Sequence, residues 1–130
     1  MLSVQSNVPQ SVLIVDPSED TRQVLRTVLA RRGVQIWESG EAAAGLALAR
    51  EHHPDVIVFD SDAENASRAL WAEYADQVKN DETSLVVLGT ARRQRAAASE
   101  FVAKPYQYGP LIHKIEALLD EVVSTRRRAA

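Results

Sequence analysis

The sequence predicts an α/β fold: a doubly wound, five-stranded parallel sheet with helices on both faces. Three observations lead there. Four apolar runs, SVLIVD, DVIVFD, SLVVLGT and FVAKP, have strand length, are rich in β-branched or aromatic residues, and each stops at a polar residue. Segments of helical length separate them, and that alternation requires crossovers that lay helices on both sides of a parallel sheet. The 130 residues, 45% of them apolar, suit one domain around one core.

Residues 1–10 read as a short polar lead. The first strand is expected at residues 11–15, and the turn at Pro17-Ser18 opens a helix over residues 19–32. Ser18 suits its N-cap, Glu19 and Asp20 its first turn, and Gly33 its C-terminal cap. Val24, Leu25, Val28 and Leu29 recur at helical spacing and give it a buried stripe. A second strand follows at residues 34–37. Ser39 or Gly40 then leads into an alanine-rich helix through Ala49, with Leu46 and Leu48 inward, and His52-His53-Pro54 ends it. The third strand covers residues 55–59. A third helix over residues 66–79 carries Leu70, Trp71, Tyr74 and Val78 toward the core, and Asn80-Asp81 turns the chain back. Strands at 85–88 and 101–103 follow. Pro110 starts the last helix at its most tolerated position, with Leu111, Ile112, Ile115, Leu118, Leu119 and Val122 as its stripe.

Composition narrows the function classes. A formal net charge of -3 gives no general pull toward nucleic acid or anionic lipid. The lack of cysteine removes disulfides, thiol catalysis and thiolate metal sites. No apolar stretch approaches the ~18 residues of a membrane span, and MLSVQSNVPQ lacks the basic and apolar regions of a signal peptide, so a cytoplasmic setting is expected.

Function is concentrated at four places: Asp16, Asp60, Thr90 and Lys104-Pro105, each closing an apolar run. In a sheet of this kind ligands sit beyond the carboxyl ends of the strands. Two carboxylates, a hydroxyl and an ammonium therefore converge on one crevice, which is chemistry for a cation and a phosphoryl group. Taken singly, each residue has an ordinary role: Asp60 a turn or cap, Thr90 a turn hydroxyl, Lys104 a solvated charge, Phe101 a core aromatic. Their joint order is what points to a site.

In that order the chain resembles the receiver domains of two-component response regulators (CheY-like), over residues 11–124, with 125–130 as a basic tail. The resemblance implies a flavodoxin-like strand order of 2-1-3-4-5. It also implies Asp60 as phosphoacceptor, Asp16 and Asp60 with the backbone carbonyl of Asp62 as Mg2+ ligands, and Lys104 on a phosphoryl oxygen. Thr90 and Phe101 would form the switch. PDVIVFD resembles the family's third strand. The chemistry agrees, because phosphorylating a carboxylate needs a bare nucleophile, a cation for the donor's oxygens and positive charge to hold the product. Mg2+ takes oxygen ligands and keeps several waters.

Three departures qualify the resemblance. Pro17 stands where the second member of the acidic pair is expected, which removes a carboxylate and weakens Mg2+ binding, with Glu19, Asp20 or the Asp62 side chain as candidate substitutes. The loop after Asp60 reads SDAENAS, and Asp62 either helps hold a cation or repels a phosphoryl donor. The segment ARRQRAAASE is about two turns short of the family's fourth helix and its following loop, so that helix is expected to be shortened or lost. Arg92, Arg93 and Arg95 there read as a solvated cap or as a docking patch for an acidic partner.

The expected function is an atypical receiver acting through protein contacts in a bacterial cytosol, not an enzyme. Its expected partners are a sensor histidine kinase or another signalling protein, and a second copy of the chain, with no membrane and no nucleic acid bound by this domain. The alternative is a phosphorylation-independent pseudo-receiver that serves as a docking module. A remote alternative, a small phosphohydrolase, rests on the likeness of Asp60-Ser61-Asp62 to the Asp-x-Asp motif of haloacid-dehalogenase-type enzymes. Those enzymes place the motif after their first strand and need a longer chain. Arg126 to Arg128 read as a solvated tail, and His52-His53 as a helix-end pair without a third metal ligand.

Overall fold

A computed structural model of the chain describes residues 9–62, 67–90 and 99–129. The elements run β1 (Ser11–Val15), α1 (Glu19–Ala30), β2 (Gln35–Ser39), α2 (Ala42–His52), β3 (Val56–Asp60), α3 (Arg68–Asp81), β4 (Ser84–Gly89), β5 (Ser99–Ala103) and α4 (Tyr108–Ala129). All strand pairs are parallel and the sheet order is β2-β1-β3-β4-β5. The shortened fourth helix expected after Thr90 falls on residues 91–98, outside the described residues.

Alternation along the strands splits the core in two, because successive side chains point to opposite faces. On one face Val12, Ile14, Val56, Val58, Val86 and Leu88 meet Leu25 and Leu29 of α1 and Leu111, Ile115 and Leu119 of α4. On the other, Leu13, Val15, Ile57, Phe59, Leu85 and Val87 meet Ala42, Leu46 and Ala49 of α2 and Tyr74 and Val78 of α3. Tyr74 is core, as expected, and Trp71 packs against that core part-buried: their rings lie 4.6 and 5.7 Å from that of Phe59. Tyr74 is fully buried, and its hydroxyl donates to the Ala42 carbonyl at 2.6 Å, which satisfies the polar tip. Gly45 lies where α2 crosses this contact; a Cβ there would stand 2.5 Å from the Tyr74 hydroxyl and 2.7 Å from Val15.

Local signals set the element ends. The Ser18 hydroxyl accepts from the Thr21 N–H at 3.2 Å and starts α1, and Gly33 takes the left-handed φ of 76° that reverses the chain after it. Helix α1 stops at Ala30, two residues earlier than expected, in a turn that leads to Gly33. Helix α2 starts at Ala42, just after the Ser39-Gly40 lead: Ser39 closes β2 and its hydroxyl bonds both the N–H and the carbonyl of Glu41. It runs past Ala49 to His52, where His53 at φ 48° ends it. Ser67 caps α3 through the Leu70 N–H at 3.1 Å, and Glu82 at φ 55° ends it. Helix α4 begins at Tyr108, ahead of Pro110.

Strand register positions the site. Val15 pairs with Phe59, so Asp16 and Asp60 stand level just past the β1–β3 ladder. Gly89 pairs with Ala103, which sets Thr90 level with Lys104. Asp60 pairs with Leu88, so two residues further on Asp62 comes level with Thr90.

Candidate functional site at the strand ends

Asp16 and Asp60 are 2% and 5% exposed, so two carboxylates sit largely out of water, where they require partners. Lys104 supplies the main one. Its Nζ donates to Oδ1 and Oδ2 of Asp60, each at 3.0 Å. The backbone sets up that reach: the Lys104 N–H continues the β4–β5 ladder onto the Gly89 carbonyl at 2.9 Å. Asp60 Oδ1 also accepts from the Asp62 N–H at 2.8 Å. At β1, Asp16 Oδ1 accepts from the Ser18 N–H at 2.8 Å and its carbonyl from Arg22 Nη1 at 2.7 Å.

These surroundings tune the charges. Burial is the main cause that holds the Asp16 carboxyl above its ordinary value; the Ser18 N–H opposes it, and the Asp60 charge adds to it. For Lys104, desolvation favours the neutral amine, but the hydrogen bond and charge of Asp60, together with those of Asp62, outweigh it. The ammonium is therefore held more firmly than in water.

Thr90 reaches the crevice by a route the sequence did not reveal. Its N–H donates to Asp62 Oδ2 at 3.0 Å and its hydroxyl to Asp62 Oδ1 at 3.4 Å, while Lys104 Nζ lies 3.5 Å from Asp62 Oδ2. Ser61 pins this loop to β4, with both N–H and hydroxyl on the Leu88 carbonyl at 2.9 and 3.1 Å. Gly89 leaves the space, since a Cβ there would collide with the Ser61 hydroxyl. Phe101 is half-buried against the α2/α3-side core, its ring edge 3.5 Å from that same Cβ position.

Of the four expected residues, Lys104 reaches Asp60 directly, Thr90 is joined to Lys104 through Asp62, and Asp16 stands level with Asp60 on the neighbouring strand. Pro17 is exposed. Of the candidate substitutes for the missing acid, Glu19 is paired with Arg22 and the Asp62 carboxylate is turned to Thr90 and Lys104. The two histidines have separate partners: His52 stacks on Trp37 at 4.0 Å, and His53 Nδ1 bonds Asp81 at 2.8 Å. Arg92, Arg93 and Arg95 lie outside the described residues, as do the side chains of Arg126 to Arg128.

Reading the sequence missed Arg22, Ser61 and Gly89. Arg22 also bonds Glu38 of β2 at 3.1 Å and pairs with Glu19, tying the β1–α1 turn to the edge strand. Its spacing from Glu19, three residues on one helix, was the available signal.

Among the described residues no group of three or more His, Asp or Glu side chains is placed to hold a metal ion. The donors at the strand ends are the carboxylates of Asp16 and Asp60, with the Asp62 carbonyl as the third that the resemblance implies. An all-oxygen set of this size fits Mg2+, which retains much of its water, and does not fit a metal that prefers nitrogen or sulfur.

Comparison with known proteins agrees with this geometry. No family model matches the chain. The polar-differentiation response regulator DivK of Brucella anthropi is 25% identical over 122 residues, 88% of this chain and 99% of that protein. DivK of Brucella ovis is 27% identical over 123 residues, 86% and 98% of the two chains. Among solved structures, the signal receiver domain of a LuxO-type repressor protein from Vibrio parahaemolyticus superposes with a TM-score of 0.76 at 14% identity, covering 94% of this chain and 98% of that one. Chemotaxis protein CheY4 of Vibrio cholerae gives 0.68 at 19% identity, over 85% and 98%. With the 2-1-3-4-5 sheet and the Asp16–Asp60–Lys104 crevice at its strand ends, the chain has the CheY-like receiver fold and is similar in sequence over most of its length to DivK response regulators.

Proposed function

We propose that Asp60 accepts a phosphoryl group from a phosphohistidine of a sensor kinase and that the chain passes the signal on through protein contacts. The supporting observation is the Lys104 ammonium, 3.0 Å from both oxygens of a carboxylate that is 5% exposed. That arrangement sets a positive charge against the nucleophilic carboxylate and where the new phosphoryl oxygens arrive. In the step, an Asp60 oxygen forms the P–O bond, the P–N bond of the donor breaks, and the imidazole nitrogen keeps the electron pair and takes a proton. Asp16, Asp60 and the Asp62 carbonyl would hold Mg2+, which would neutralise phosphoryl oxygens; with Pro17 in place of the second acid that hold would be weak.

A pseudo-receiver that docks partners without phosphorylation is the second reading, favoured by Pro17 and by the engagement of Thr90 with Asp62. Either way the chain is a signalling module, with a kinase or a second copy of itself as partner. Among the described residues no helix is long and apolar enough to cross a membrane, and a cytosolic setting suits both readings.

An amide NMR titration with Mg2+ and then beryllofluoride separates them. Saturable shifts around Asp16, Asp60, Thr90 and Lys104 that vanish in Asp60→Ala support phosphorylation. Absence of any shift at millimolar Mg2+ in folded protein supports the docking module.

A further inference from the structure

The contacts of Asp62 are those of an oxyanion. One carboxylate oxygen takes the Thr90 N–H at 3.0 Å and lies 3.5 Å from the Lys104 ammonium; the other takes the Thr90 hydroxyl at 3.4 Å. A phosphoryl oxygen on Asp60 would seek the same kinds of donor, because carboxylate and phosphoryl oxygens are alike as anionic acceptors of N–H and O–H. Asp62 reaches them by construction: the β3–β4 register sets it level with Thr90, and Ser61 fastens the loop to the Leu88 carbonyl over side-chain-free Gly89.

We propose that the Asp62 carboxylate is the resident anion of the site made by Thr90 and Lys104, and that a phosphoryl group arriving on Asp60 must displace it. This rests on the reading of Asp60 as acceptor. The two occupants exclude each other on charge as well as space. Asp16, Asp60 and Asp62 already gather around the Lys104 ammonium, and a phosphoryl group would bring further negative charge against Asp62. Being two residues from Asp60, the resident competes without losing translational freedom. Its side chain is 27% exposed, so it can leave into water when displaced. While seated, it holds Thr90 inward in the unphosphorylated protein.

The test compares wild type, Asp62→Ala and the shape-preserving Asp62→Asn by amide NMR, without ligand and with beryllofluoride plus Mg2+. The Thr90 amide resonance should move in both variants without ligand. Beryllofluoride should bind Asp62→Ala about tenfold or more tighter than wild type, the scale of one lost charge-assisted competitor. Asp62→Asn should fall between and serves in place of Asp62→Ala should that protein fail to fold. Equal beryllofluoride affinity across the three proteins overturns the inference and leaves Asp60 as acceptor. Binding to none of them overturns the acceptor reading. In that case a moved Thr90 amide still supports Asp62 as the resident anion, and an unmoved one overturns it.

Discussion

Replacing Lys104 by Met tests how far the site depends on charge pairing, because Met keeps an unbranched stem of similar length and removes only the ammonium. With Nζ 3.0 Å from each Asp60 oxygen, the gross attraction is about 5 kcal/mol at an effective dielectric of about 20. Most of that is offset in the native protein by the cost of taking two charges out of water. The loss on mutation is set instead by what Asp60 is left with: a buried carboxylate, one N–H from Asp62, and Asp16 as a like-charged neighbour. Removing one member of a buried pair costs ~3–5 kcal/mol, and the partial exposure of Lys104 lets water replace it, which places the expected loss near the lower end, at ~3 kcal/mol. For a domain of this size that lowers Tm by roughly 10 °C. Urea and thermal unfolding followed by circular dichroism give the values, and Asp60→Asn combined with Lys104→Met should recover most of the loss. A single variant within ~0.5 kcal/mol of wild type, or a double variant whose loss is the plain sum of the two singles, would refute the pairing argument.

Asp16→Asn should stabilise the protein near neutral pH, since burial and Asp60 hold the Asp16 carboxyl above its ordinary value and Asn Oδ1 can still accept from Ser18. Because the folded pKa is the higher one, wild type gains stability as pH falls through it toward 3.8. The advantage of Asn is full above the folded pKa and gone below 3.8. Urea midpoints at both ends check this, and a gap unchanged with pH contradicts it. Gly45→Ala should destabilise by ~1 kcal/mol, as overpacking against Tyr74 and Val15 at ~1–3 kcal/mol outweighs a helix-propensity gain of ~1 kcal/mol. Tyr74→Phe should cost less in that background than in wild type, and additive losses would mean the two groups do not meet.

Much of this was readable from the residues because each signal was local. The strands announce themselves through β-branched runs ended by Asp16, Asp60, Thr90 and Lys104, and Ser18 and Gly33 mark their turns by side-chain hydroxyl and missing Cβ. Where α2 begins was legible only as a lead at Ser39 or Gly40, because the join from β2 rests on Ser39 bonding Glu41, a two-residue loop contact with no periodicity. The role of Asp62 was illegible for a different reason. Sequence showed an extra carboxylate beside Asp60, but whether it faces a cation or Thr90 depends on the register between β3 and β4, which no single segment encodes.

Gly89 and Ser61 give the crevice a mechanical property. With Ser61 bonded twice to the Leu88 carbonyl and pressed against a glycine, the ends of β3 and β4 are fastened like two planks at a joint. Asp62 and Thr90 sit just beyond that joint on its two halves, so the segments bearing them travel together and a disturbance at the end of one strand is handed to the other through main-chain bonds. A side chain larger than hydrogen at position 89 would pry the joint open, and the crevice would then have two independent lips instead of one.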